Sequence, residues 1–225
     1  MIVTFDIETL PTNDPSVIAE LESSISAPAQ YKKPESIAEW MKENKDCALK
    51  DAVSKTSFSG MYGRIACIGW AIDDGDVVAT GAGDSEEVAI TRFFDAITDV
   101  SVHHKAGSAF PEIVFCGHNV HSFDLQFLKH RAIILNIRPP KPLREAMMAK
   151  KWSPLIADTM LMWSDDPHKQ GSMDRLCKAF GIPGKDGFDG SMVAETWPVD
   201  PEKVIEYCKD DVERTRKIYK RIMFI

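Results

Sequence analysis

Residues 1–10 read MIVTFDIETL, from Met1 to Leu10. Val3, Phe5 and Ile7 alternate with Thr4, Asp6 and Glu8, the period-two pattern of a β-strand. Asp6 and Glu8 therefore project from one side of the strand, and the apolar residues from the other. Two adjacent carboxylates repel each other and desolvate badly unless a cation lies between them. The pair reads as half of a divalent-metal site. The competing reading is a solvent-facing strand in which acids merely alternate with hydrophobes.

Outward from this strand, residues 11–62 form a long polar insert punctuated by Pro11, Pro15, Pro28 and Pro34. Helical patterns fit Pro15 to Ser24 and Pro34 to Lys50. Insertions of this length are commonly functional lids or arms. Arg64 to Ile72 is almost wholly apolar and reads as a central, buried strand. Asp74-Gly75 then turns the chain into a strand at Val77–Thr80. Ser85 caps a helix to about Asp99, with Glu86 and Glu87 in its first turn. Glu112 to Gly117 is a short buried strand, followed by a helix over Ser122–Asn136. Leu155–Trp163 fits a short strand and helix, and Ser172 to Phe180 a helix that Gly181 ends. The last helix has Asp200 as N-cap and Pro201 at its first position. Strands first and strand–helix alternation afterwards predict an α/β domain, a mixed sheet with helices on both faces. Residues 1–225 read as one domain with a helical insert at about 11–62.

The 225 residues carry a net charge of −7, which argues against broad nonspecific DNA wrapping. The seven Lys/Arg between Lys129 and Lys151 against one acid, Glu145, mark a candidate phosphate-facing surface, with a solvated basic loop as the alternative. No apolar run is long enough to span a bilayer, and the N-terminus lacks a basic leader, so the expected location is the cytoplasm and no membrane partner is expected. The five cysteines have no CxxC spacing, which speaks against zinc, dithiol chemistry or a disulfide framework.

Two further acidic positions bear on Asp6 and Glu8. Asp124, in FCGHNVHSFDLQFL, follows a buried strand and a turn. It would lie near the carboxyl end of that strand, where open α/β sheets place their ligands. Tyr207 and Asp211 stand four residues apart on the last helix and share a face. A phenol one turn from a carboxylate can orient a water. Asp210 points about 100° away from that face.

DIET near the N-terminus, HNxxxFD in the middle and YxxxD on a late helix, in that order, resemble the signature of the DnaQ-like 3′–5′ exonucleases. The tyrosine marks the DEDDy branch; a histidine-type relative would have His where this chain has Glu206. GRIACIGW (63–70) and SMDRLCKAFGIPGK (172–185) are similar to the stand-alone exonucleases related to family B DNA polymerase proofreading domains. The resemblance implies an RNase H-like fold. It implies Asp6, Glu8, Asp124 and Asp211 as ligands of two divalent cations, Mg²⁺ or Mn²⁺, and Tyr207 as the water-orienting phenol. Asp6 would bridge both ions, Glu8 and Asp211 would complete one, and Asp124 would hold the other. Hard divalent ions prefer carboxylate oxygens, and a pair of them suits phosphodiester hydrolysis. Asn119 and Phe123 would contact the substrate near its terminal nucleotide, Thr9 would offer backbone contacts to the 3′ end, and Leu10 would wedge against the terminal bases.

In the glycine-rich stretch 181–190, Lys185 is a candidate phosphate contact. Trp152, beside Lys150 and Lys151, is the tryptophan best placed to stack a base, with core packing as its ordinary reading. The expected activity is removal of nucleoside 5′-monophosphates from the 3′ end of single-stranded DNA. An RNA 3′–5′ exonuclease is the same-class rival. A non-catalytic nucleic-acid-binding or polymerase-associated subunit is the rival from another class. Any proofreading would act in trans, with a replication or repair partner.

Overall fold

The computed structural model describes residues 1–103, 113–166, 168–169, 171–184 and 187–225. Its strands are β1 (Ile2–Leu10), β2 (Arg64–Ile72), β3 (Val78–Ala79), β4 (Val114–Gly117) and β5 (Ile156–Asp158). They form a five-stranded sheet of order β3-β2-β1-β4-β5. β1 runs antiparallel to β2 and parallel to β4; β4 runs parallel to β5, and β3 pairs antiparallel with β2. The strand carrying Asp6 and Glu8 is thus central.

Alternation along β1 sends Val3, Phe5 and Ile7 into the larger core. There they meet Ile90, Phe93 and Phe94 of the helix Glu86–His103, the third of nine among the described residues. The helices are α1 (Pro15–Ser24), α2 (Pro34–Lys55), α3 (Glu86–His103), α4 (Asp124–Ile134), α5 (Lys141–Met147), α6 (Thr159–Trp163), α7 (Met173–Phe180), α8 (Val193–Thr196) and α9 (Pro201–Met223). The larger core lies between the sheet and α3, α4 and α5, with Phe5, Phe93, Phe115 and Leu125 almost wholly buried. A smaller core lies on the opposite face, where Leu10, Ala66 and Cys67 meet Val204, Tyr207 and Cys208 of α9.

β2 reads as continuously apolar for two reasons. It is covered on both faces, and its register with β1 slips between Glu8 and Thr9. At that bulge Ala66 and Cys67 both join the α9 side, while Ile65 and Ile68 join the other. Bulges of this kind commonly re-aim side chains beside functional sites. Gly69, opposite Asp6 in register, faces α9. A β-carbon there would stand 3.0 Å from Cys208 Sγ and 3.2 Å from Val212 Cγ2. The missing side chain lets α9 lie close against β1 and β2.

Within the insert, α1 has the expected bounds, with Asp14 accepting from the Ser16 N–H. α2 continues five residues past the expected end at Lys50, to Lys55, before a 3-10 turn at Thr56–Phe58. Asp200 caps α9 by accepting from the Lys203 N–H, and Gly181 ends α7 at φ 68°. No helix among the described residues is long and apolar enough to cross a membrane.

Candidate active site

β1 presents Asp6 and Glu8 toward α9, Asp6 half-buried and Glu8 buried. Ligand atoms of Asp6, Glu8 and Cys208 all lie within 4.8 Å of one another. Cys208 Sγ is 3.8 Å from Asp6 Oδ2 and 3.5 Å from the Asp6 carbonyl oxygen. A hydrogen bond with Cys67 and burial push the Cys208 thiol well above its ordinary range, and the Asp6 and Glu8 charges add to this. Cys208 is thereby kept a neutral thiol, which leaves the Asp6 and Glu8 carboxylates as the groups that could hold a cation. That set fits a hard divalent cation.

Asp124 is the first residue of α4 and is 2% exposed. Its Oδ1 accepts from the Ile7 N–H at 3.2 Å, between the two acids of β1. Burial, opposed by the N–H groups of Asp124 and Ile7 and assisted by the Asp158 charge, pushes its carboxyl up to about 8. The loop leading to Asp124 is held by Asp158, which accepts from the N–H of Asn119 and of His121, each at 3.0 Å. The same carboxylate accepts from the Met160 and Leu161 N–H groups, so Asp158 caps α6 as well as clamping the loop. Asn119 has φ 67°, a left-handed turn that asparagine tolerates.

α9 supplies Tyr207 and Asp211, 8% and 4% exposed. Asp210, one residue earlier, has a largely exposed side chain, as the helical angle predicts. The Tyr207 ring packs edge-on against Phe188 with centroids 4.9 Å apart. Burial pushes the phenol far above its ordinary range, and the charges of Asp211, Glu8 and Asp6 add to this, as does its hydrogen bond to Asp211. The phenol thus shares one electrostatic neighbourhood with acids from β1 and α9. Arg214, unanticipated from sequence, donates from Nη1 to Asp211 Oδ1 at 2.7 Å. It also donates to the carbonyls of Pro183 and Gly184, tying the segment after α7 to α9. The available signal was its i,i+3 spacing from Asp211.

The remaining sequence candidates divide. The Thr9 hydroxyl donates to the Ser57 carbonyl at 2.7 Å, fastening the end of the insert beside Glu8. Phe123 is half-buried next to Asp124, its ring 5.8 Å from that of Phe127. Leu10 is 6% exposed and packs in the smaller core, on the α9-facing side of β1. Lys185 lies outside the described residues. Trp152 is not core: it is 60% exposed, with Lys151 Nζ 5.4 Å from its ring centre. The basic stretch is not one surface, since Arg131 is buried in a two-pronged pair with Glu86, both bonds 2.8 Å.

The sheet order and the flanking helices define an RNase H-like fold with an acidic cluster at the end of its central strand. Residues 64–225 match a family model described as a predicted 3′–5′ exonuclease related to the exonuclease domain of PolB, and the chain belongs to that family. A family B DNA polymerase from the hyperthermophilic archaeon Pyrobaculum calidifontis has a similar structure, at a TM-score of 0.58 and 17% identity. The likeness covers 99% of this chain and 24% of that polymerase. No curated protein matches the chain.

Proposed function

We propose that this chain is a DEDDy-type 3′–5′ exonuclease that shortens single-stranded DNA and releases nucleoside 5′-monophosphates. The observation that carries the proposal is that ligand atoms of Asp6 and Glu8 on β1 lie within 4.8 Å of Cys208, the neighbour of Tyr207 on α9, although β1 and α9 lie at opposite ends of the chain. Asp6, Glu8, Asp124 and Asp211 would hold two divalent cations, Mg²⁺ or Mn²⁺. Bound there, such ions make a nucleophile available near neutral pH and stabilise the leaving 3′ oxygen. The chain's own residues do the positioning. Tyr207 stays protonated beside Asp211 and hydrogen-bonds the attacking water. Arg214 holds the Asp211 carboxylate in place. Asp124, hydrogen-bonded to β1, keeps its carboxyl next to the β1 acids. Asn119, Thr9 and Phe123 line the approach of the 3′ terminus, and Lys185 contacts a backbone phosphate. The reading places the enzyme in the cytoplasm, acting on free 3′ ends or in trans beside a polymerase.

The test is digestion of 5′-labelled single-stranded DNA, duplex DNA and RNA, with chromatography of the products. Single-stranded DNA should be shortened fastest, with nucleoside 5′-monophosphates as the sole product. Faster digestion of RNA would move the substrate to the RNase D-like class. Products bearing 3′-phosphates would overturn the chemistry.

A further inference from the structure

Phe58 carries an apolar ring that is 73% exposed, at the end of the insert and beside the candidate site. It lies outside residues 64–225, so membership of the family assigns it nothing. Exposure of this kind is unremarkable on a loose loop, but this segment is pinned from several directions. The Thr56 hydroxyl oxygen accepts from the Thr12 N–H at 2.8 Å, and the Ser57 carbonyl accepts from the Thr9 hydroxyl at 2.7 Å. The Gly60 carbonyl accepts from Arg131 Nη1 at 3.4 Å. A β-carbon on Gly60 would come within 2.9 Å of both His130 Cβ and the Phe127 carbonyl oxygen, so only glycine lets the turn sit on α4 so closely. The ring is thus held out by a rigid support.

It borders a groove of about 180 Å³ beside α4, whose lining includes Phe58, Ser122, Phe123, Gln126, Phe127 and His130. Phe123 directly precedes Asp124, and Ser57 is tied to Thr9, the neighbour of Glu8. The groove and the acidic cluster are thus built on shared segments, the start of α4 and the end of β1. The groove's three phenylalanine rings supply aromatic surface, and its hydroxyl, amide and imidazole groups offer hydrogen bonds to a planar, polar-edged group. A nucleobase has that chemistry, and stacking on aromatic side chains is how proteins bind single strands without sequence preference.

We infer that Phe58 is a substrate-positioning residue, a stacking platform that the insert contributes for a base of the single-stranded DNA whose 3′ end lies at the acidic cluster. This rests on the exonuclease reading. It gives the insert a function: α2 and the 3-10 turn carry an aromatic ring to the site.

The experiment measures binding of a 5′-fluorescein oligothymidylate in EDTA by fluorescence anisotropy, and its shortening in Mn²⁺, for wild type, Phe58→Ala and Phe58→Trp. Phe58→Ala should weaken binding and raise KM by about ten-fold, while Phe58→Trp stays within about two-fold of wild type, the range expected for one stacked base. The melting temperature should not move, because the ring is exposed. If Phe58→Ala binds and shortens DNA as wild type does, or if Phe58→Trp is as impaired as Phe58→Ala, the assignment of Phe58 is overturned and the exonuclease reading stands. If the wild type neither binds nor shortens the strand, the exonuclease reading itself fails, and this inference with it.

Discussion

The N–H of Ile7 donates to Asp124 Oδ1 at 3.2 Å, joining residues 117 positions apart in the chain. This bond brings the start of α4 to the strand that carries Asp6 and Glu8. It also buries a carboxyl that burial pushes up to about 8.

A stability prediction follows from that shift. The folded protein holds a proton on Asp124 that the unfolded chain releases above the ordinary carboxylate value of 3.8. The stabilisation from that proton is complete below the unfolded value and is lost as pH rises toward about 8. Asp124→Asn keeps an acceptor for the Ile7 N–H and never ionises. In EDTA at pH 8 it should melt a few degrees above wild type, with the gap closing toward pH 4, and it should not digest DNA. Thermal melts across pH test this.

Tyr207→Phe removes the hydroxyl and leaves the ring against Phe188. The expected result is a kcat lower by about 10²-fold with KM little changed, the scale of a positioned proton-handling group. The alkaline limb of the wild-type pH profile should not be tyrosine ionisation, because burial and three carboxylates keep the phenol protonated. Steady-state kinetics across pH check both.

Arg214→Ala leaves Asp211 buried without its guanidinium and frees the Pro183 and Gly184 carbonyls. A loss of about 2–3 kcal/mol is expected on breaking such a buried pair. Urea denaturation should show it, with Arg214→Lys intermediate because lysine lacks the fork.

Gly69→Ala places a methyl group 3.0 Å from Cys208 Sγ and should push α9 away from β2. Overpacking of this kind costs about 1–3 kcal/mol. Because Tyr207 and Asp211 move with α9, activity should fall even at temperatures where the variant is folded. Circular dichroism and digestion rates on one preparation separate the two effects.

The features that could be read from sequence were those with local causes. Alternation along β1 puts Asp6 and Glu8 on one face, and the Asp200-Pro201 cap and the Tyr207–Asp211 spacing are properties of single elements. What could not be read depends on distant partners. Arg131 looked like part of a basic surface because its partner, Glu86, is 45 residues away. The burial of Leu10 was not legible because its neighbours in the smaller core come from β2, α8 and α9. Trp152 looked like core because flanking sequence says little about which side of a loop faces water. The groove at Phe58 arises only when the insert folds back on α4.

The most direct test of the acidic cluster is a time course on 5′-labelled single-stranded DNA in Mn²⁺, comparing wild type, wild type with EDTA, and folded Asp6→Ala. The account predicts a ladder of 3′-shortened products for wild type alone and none in the other two lanes. A folded Asp6→Ala protein that digests at the wild-type rate would contradict it.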